Sequence, residues 1–169
     1  MYCIISSNLQ STPISMKKLL FITFFSFCVA VMANAQVYIN PTYGAKSLKE
    51  VEITKIEITS KYTIVHFYFD SKDKYPVGGW IALSKNMYIK NAKTHKKHYL
   101  IKASNIPLLP AKLDFTGRYK RKFKAYFPPI NPGTEMIHII EEATNGFNFY
   151  KIKLKPMAYF KHEEKENWC

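Results

Sequence analysis

The stretch 62–70, YTIVHFYFD, decides the fold class of this chain of 169 residues. Val65, Phe67 and Phe69 fall on one face of an extended chain, and the residues between them fall on the other face. Val, Phe and Tyr also favour strands over helices, so the pattern predicts a half-buried strand. The stretch 51–59, VEITKIEIT, alternates in the same way, except that its period slips at positions 54–55, which predicts a β-bulge.

The rest of the chain repeats this pattern in short segments separated by turn signals. Strand-like segments follow at 80–83, 87–90, 98–102, 122–127, 136–141 and 147–154. The basic segment 91–97 reads as the connection of a hairpin between the second and third of these. Pro107 and Pro110 argue against a central strand at 106–110, because proline cannot donate a ladder hydrogen bond. Seven or eight short strands without an amphipathic helix predict an all-β fold, an antiparallel β-sandwich or barrel.

The beginning of the chain is organised like a secretory signal peptide over residues 16–35. A positive pair, KK at 17–18, precedes a mostly apolar run at 19–32. The closing ANA at 33–35 places small residues at the last and third-last positions before a cleavage site. The apolar run is too short for a membrane anchor, which needs roughly 20 apolar residues. Cleavage would leave Gln36 as the new N-terminus.

These features divide the chain into four segments. They are an upstream start extension at 1–15, a signal peptide at 16–35, one β-sandwich domain at 36–156 and a charged flexible tail at 157–169. Met16 is then the expected start of translation. The expected location is outside the cytoplasm, either periplasmic or extracellular, and the processed chain is expected to have no membrane span.

Charge and cysteine content limit what the exported domain can be. The whole chain has 25 Lys and Arg against 12 Asp and Glu. Loss of Lys17 and Lys18 with the signal peptide leaves 23 against 12, a formal charge of +11. Cys169 is then the one remaining cysteine, so an intramolecular disulfide cannot form and packing must hold the domain together.

Three blocks carry a resemblance to a known family: VEITKIEITSKYTIVHF at 51–67, GGWIAL at 78–83, and the segment 123–141 with its FPPINPG turn. On these blocks the stretch 48–154 resembles the small secreted immunoglobulin-like β-sandwich module of Bacteroidetes-type exported proteins. The resemblance implies an accessory, non-catalytic domain, often placed ahead of a thioredoxin-like or hydrolase domain. This chain departs from the pattern because it is strongly basic and stops at Cys169, which predicts a role on its own.

The sequence carries no recognisable catalytic motif. It has no Gly-x-Ser-x-Gly nucleophile elbow and no Gly-rich phosphate loop. Glu141 and Glu142 are neighbours on a predicted strand and therefore point to opposite faces, which argues against a shared acid–base site. We expect no enzyme activity and no cofactor.

His95 and His98 are the candidate metal ligands, because a His-x-x-His spacing can chelate from a turn. Zinc sites usually need three or four donors, and Lys96 and Lys97 between the two histidines would repel a cation. A weak metal site at this hairpin is therefore kept as an alternative only.

Lysine and arginine concentrate on two predicted strands near the end of the domain. The candidate binding residues are Lys120, Arg121, Lys122, Lys124, Lys151, Lys153 and Lys155. Alternate lysines on a strand share one side, so the two strands would form one cationic face if they shared a sheet. Such a face suits an anionic polysaccharide or another exported protein, whereas export argues against nucleic acid.

The residues leave three functions open. The first is a non-catalytic binding module for an anionic polymer or a protein partner. The second is an accessory module of an exported enzyme complex, and the third is weak metal binding through His95 and His98. The lysines could also serve only as a coat that keeps the β-surface soluble and protects sheet edges from pairing.

Overall fold

The computed structural model describes residues 35–71, 75–143 and 145–154. The backbone of these residues forms only strands, turns and irregular segments, which confirms the all-β prediction. The strands are β1 (Gln36–Ile39), β2 (Ala45–Lys46), β3 (Val51–Ile58), β4 (Thr63–Asp70), β5 (Gly79–Ile81), β6 (Tyr88–Asn91), β7 (Lys97–Tyr99), β8 (Lys102–Ser104), β9 (Leu113–Phe115), β10 (Lys120–Phe127), β11 (Met136–Ile140) and β12 (Phe149–Lys153). In the described part of the chain, no helix is long and apolar enough to cross a membrane. The predicted start extension, the signal peptide before residue 35 and the tail at 157–169 lie outside the described residues.

The strands form two five-stranded sheets and one two-stranded ribbon. The first sheet has the order β1-β3-β4-β10-β8, and the second sheet has the order β2-β12-β11-β6-β7. The ribbon consists of β5 and β9. Every pairing between these strands is antiparallel. The described residues therefore form an antiparallel arrangement consistent with the predicted β-sandwich. They contain twelve strands, where seven or eight were predicted, because strands of two to four residues show too little alternation to be recognised.

The hydrophobic core lies between the two sheets. Phe67 on β4 stacks on Phe123 of the neighbouring β10, with ring centroids 5.1 Å apart. The ring of Phe149, from β12 of the second sheet, lies 5.9 Å from the ring of Phe67. All three side chains are almost completely buried. The alternating pattern of β4 thus directs one face into the core and leaves the opposite face of the sheet as its outer face.

Several predicted details are confirmed at the level of single residues. The register between β3 and β4 shifts between Ile53 and Lys55, where the bulge was predicted. β6 and β7 pair as the predicted hairpin. The second arm of this hairpin was predicted to reach Lys102, but β7 ends at Tyr99. Lys102 begins β8, which belongs to the first sheet. The proline-bounded segment 106–110 lies outside the strands, as predicted.

A buried carboxylate joins two loops at one end of the second sheet. Glu141 follows β11 and is only 4% exposed. Its two carboxylate oxygens accept hydrogen bonds from the backbone N–H groups of Ser84 and Phe147, at 2.5 and 2.7 Å. Its own backbone N–H donates to the Asn148 side chain at 2.7 Å. Burial raises the pKa of this carboxyl, and the two backbone hydrogen bonds only partly oppose that effect.

Candidate functional site

The predicted binding residues are divided between the two sheets. β10 lies between β4 and β8 in the first sheet, and β12 lies between β2 and β11 in the second sheet. The separated residues are Lys120, Lys122 and Lys124 on β10, and Lys151 and Lys153 on β12. Because the sheets pack through their inner faces, their outer faces point in opposite directions. β10 and β12 therefore do not share a sheet, and the prediction that their lysines form one cationic face is wrong. Lys155 lies outside the described residues.

Arg121 does not belong with its lysine neighbours. It pairs across the sheet with Phe69, a core residue, and so lies on the inner side of β10 at the rim of the core. Its Nε donates to the carbonyl of Asn105 at 2.5 Å, and one terminal nitrogen donates to the Tyr119 hydroxyl at 2.9 Å. The guanidinium therefore ties a loop to the sheet and is not directed towards the lysines.

The outer face of the first sheet carries charges of both signs. Its five strands hold six basic residues and three carboxylates. Lys55 lies 2.5 Å from Glu57, and Lys120 lies 3.8 Å from Asp70. The hydrogen bond from Lys55 is the main reason that the pKa of Glu57 is lowered. Opposite charges in contact partly cancel at a distance, which reduces the positive potential of this face.

The strands of the second sheet differ because they contain five lysines and no Asp or Glu. Four of these lysines lie on the outer face, together with a histidine and three tyrosines. We call this surface the basic aromatic face, and its residues are Tyr88, Lys90, Lys97, Tyr99, His138, Tyr150, Lys151 and Lys153. Glu142, just after β11, forms an ion pair with Lys97 of this face at 3.5 Å.

Aromatic rings and lysines are interleaved on the basic aromatic face. The Lys97 ammonium lies 4.1 Å from the centre of the Tyr88 ring, and the Tyr99 ring lies 5.4 Å from that of Tyr88. Lys97 covers Tyr88, whereas Tyr99 and Tyr150 stay exposed. Side chains of this kind can stack against rings while the ammonium groups attract negative charge.

A bulge on β12 shapes one part of this face. The register between β11 and β12 shifts between Ile137 and Ile139, and Lys151 has a φ of +55°. The Lys151 backbone N–H donates to Nδ1 of His138 at 3.2 Å. Burial is the main cause that lowers the pKa of His138, and the charges of Lys90 and Lys151 lower it further. His138 is therefore held as a neutral imidazole at neutral pH.

No protein-family model, curated protein or solved structure matches this chain. Its function has to be inferred from the residues that the fold brings together.

The two histidines proposed as metal ligands are placed differently by the hairpin. His98 pairs with Ile89 and faces the core, where it is almost fully buried. His95 lies in the exposed turn with a φ of +60°. Burial lowers the pKa of His98, and the charge of Lys96 lowers it further. Among the described residues, no group of three or more His, Cys, Asp or Glu side chains is arranged to hold a metal ion.

The binding residues predicted from the sequence included two members of the basic aromatic face, Lys151 and Lys153. They missed the other six: Tyr88, Lys90, Lys97, Tyr99, His138 and Tyr150. The tyrosines were indistinguishable from ordinary surface strand residues, and His138 from a packed histidine. The absence of Asp and Glu from four segments, 88–91, 97–99, 136–140 and 149–153, was the available signal. It had no meaning before the topology showed that these segments form one sheet.

Proposed function

We propose that this protein is an exported, non-catalytic binding module that holds an anionic polymer on the basic aromatic face. The supporting observation is that the second sheet has five lysines and no carboxylate among its strands. Lys97 pairs with Glu142 at 3.5 Å and Lys46 pairs with Glu52 at 3.6 Å. The potentials of Lys90, Lys151 and Lys153 add over the outer face and raise the local concentration of a polyanion. An immunoglobulin-like arrangement of the sandwich and a periplasmic or extracellular location are parts of the same proposal.

An acidic polysaccharide is the ligand class that fits the surface best. Exposed tyrosine rings, such as those of Tyr99 and Tyr150, can pack against the apolar faces of sugar rings. The ammonium groups between them can pair with carboxylate or sulfate groups along the polymer. A solvent-facing sheet surface suits an extended chain better than a small molecule, because small-molecule sites are concave.

Two matched variants test this proposal. One replaces Lys90, Lys97, Lys151 and Lys153 on the second sheet by Gln, and the other replaces Lys102, Lys120, Lys122 and Lys124 on the first sheet by Gln. Both remove four positive charges. We expect the second-sheet variant to lose about 10- to 100-fold in affinity for heparin, since each exposed charge contact contributes roughly 0.2–1 kcal/mol. Retention on a heparin column across a salt gradient measures this loss.

The control lies in the comparison of the two variants. The first-sheet variant is expected to lose less retention, because Lys120 is paired with Asp70 and the same sheet also carries Glu52 and Glu57. Circular dichroism confirms that both variants are folded. Equal losses in the two variants would contradict the proposal, because net charge alone would then explain retention.

Export is tested by the N-terminus of the processed protein. β1 begins at Gln36, so cleavage after Ala35 would leave every strand intact. We expect the protein recovered from outside the cytoplasm of a bacterial host to begin at Gln36 by intact mass. Ala33→Arg is expected to block processing, because the peptidase groove accepts small side chains there, whereas Asn34→Gln is expected to be processed. Recovery of unprocessed protein from the cytoplasm would contradict export.

A second candidate function has one specific observation in its favour. Val77 and Trp80 expose large apolar side chains on and beside the ribbon, 92% and 51% exposed respectively. An accessory module that docks on an exported enzyme would use a surface of this kind. Association through apolar contacts tolerates salt, whereas salt weakens the binding of an anionic polymer. The salt dependence of binding therefore distinguishes enzyme docking from polymer binding.

A further inference from the structure

The bulge on β12 changes which side chains reach the outer face of the second sheet. In a regular strand, Tyr150 would point outwards and Lys151 would point towards the core. Both are exposed here, because Lys151 adopts a left-handed backbone conformation that non-glycine residues rarely take. Bulges are over-represented beside binding sites because they re-aim side chains in this way. The bulge places an aromatic ring and an ammonium group side by side.

His138 is fixed against this bulge in a defined protonation state. A backbone N–H can only donate, so Nδ1 of His138 accepts from Lys151 and the ring proton of the neutral imidazole is on Nε2. Nε2 is therefore a hydrogen-bond donor. The imidazole ring lies 6.0 Å from the Tyr150 ring at an interplanar angle of 63°.

Among the described residues, the titratable groups that act electrostatically on His138 are Lys90, Lys151 and His95, which are all bases. Lys90 lies directly opposite His138 on β6, and Lys151 lies beside it on the bulge. No strand of the second sheet supplies a carboxylate that could accept from Nε2 or neutralise the ammonium groups. A donor flanked by two cations favours an anionic oxygen, which can accept hydrogen bonds from all three.

From this arrangement we infer that the bulge forms a subsite for one acidic sugar ring. This inference rests on the proposed polysaccharide-binding function. The sugar ring packs on Tyr150, and its acidic group accepts hydrogen bonds from His138 Nε2 and from the Lys90 and Lys151 ammonium groups. Carboxylate and sulfate share this chemistry. The rest of the basic aromatic face then holds neighbouring units of the polymer mainly by charge.

The test uses isothermal titration of the full processed protein with a glucuronate-containing oligosaccharide and with a neutral oligosaccharide of equal length. His138→Asn keeps an acceptor near the Nδ1 position and removes the Nε2 donor, and Tyr150→Leu removes the stacking ring. We expect each to weaken binding of the acidic oligosaccharide about tenfold. Tyr150→Phe keeps the ring, and Tyr126→Leu alters a half-buried tyrosine on the outer face of the first sheet, so both are expected to stay within about twofold.

The outcomes separate the subsite from the polymer-binding function. Equal binding of the neutral oligosaccharide would overturn the subsite, and so would equal losses in Tyr150→Leu and Tyr126→Leu. If inorganic sulfate alone binds as tightly as the oligosaccharide, the sugar ring is not recognised and the proposal fails. If heparin retention depends on the second-sheet lysines but none of these variants alters oligosaccharide binding, the subsite is wrong and the polymer-binding face stands. Absence of heparin retention would instead remove the proposed function itself.

Discussion

Replacing Phe67 with alanine is expected to lower the free energy of unfolding by about 3–5 kcal/mol. Phe67 is almost completely buried, stacks on Phe123 within the first sheet and contacts Phe149 of the second sheet. The substitution therefore removes apolar contact area and leaves a cavity where the two sheets meet. Such a loss is a large fraction of the 5–15 kcal/mol that stabilises a typical domain. Urea denaturation followed by intrinsic fluorescence measures the change.

Tyr68→Ala provides the matched control for Phe67→Ala. Tyr68 is the next residue on β4 and lies on the outer face, where it is only partly buried. We expect Tyr68→Ala to cost about 1 kcal/mol, as partly exposed positions usually do. Similar losses in the two variants would mean that the inner and outer faces of β4 have been assigned incorrectly.

Glu141→Ala is expected to destabilise the protein by about 2–6 kcal/mol, because two buried backbone N–H groups lose their acceptor and each costs roughly 1–3 kcal/mol. These N–H groups belong to Ser84 and Phe147, so the substitution also loosens the loops that precede β6 and β12. Glu142→Ala is the control. Glu142 is exposed, contacts Lys97 at 3.5 Å, and its loss is expected to change stability by less than about 0.5 kcal/mol.

The effect of Glu141→Ala is expected to depend on pH. Burial raises the pKa of Glu141 in the folded state, so the folded protein binds this proton more tightly than the unfolded chain does. The stability contributed by this proton is complete below the pKa of an unfolded glutamate and is lost as the pH rises through the folded pKa. Glu141→Ala lacks this titration, so its destabilisation is larger at pH 4 than at pH 7. Denaturant unfolding at both pH values tests this. A larger loss of stability at pH 7 would mean that the two hydrogen bonds lower the pKa of Glu141 by more than burial raises it.

The longer strands could be predicted from the sequence because their side chains alternate over enough residues. β3, β4 and β10 each have eight residues, and their buried apolar positions repeat every second residue, apart from the slip at the bulge in β3. The predicted strand at 62–70 differs from β4 by one residue at its start. Strands of two to four residues, such as β2 and β8, show too few alternations to be distinguished from a loop. Their pairing depends on a neighbour that lies far away in the sequence.

The site was predicted less completely than the fold. The exposed lysines of β10 and β12 could be named from the sequence, because lysine alternates with buried apolar residues on both strands. Their grouping into one face could not, since it depends on which strands are neighbours in a sheet. The bulge at Lys151 and its contact with His138 involve residues thirteen positions apart, and no local pattern indicated them.

The sequence by itself determined the all-β class, the inward face of each long strand and the positive charge of the domain. These properties follow from the order of apolar and charged side chains along a short stretch, which is a local quantity. Only the tertiary structure decided that β10 and β12 belong to different sheets, that Arg121 turns towards the core rim, and that four strands without a carboxylate lie side by side. The physical reason is that antiparallel pairing is a contact between distant segments, selected by how their apolar faces pack together and not by either segment alone.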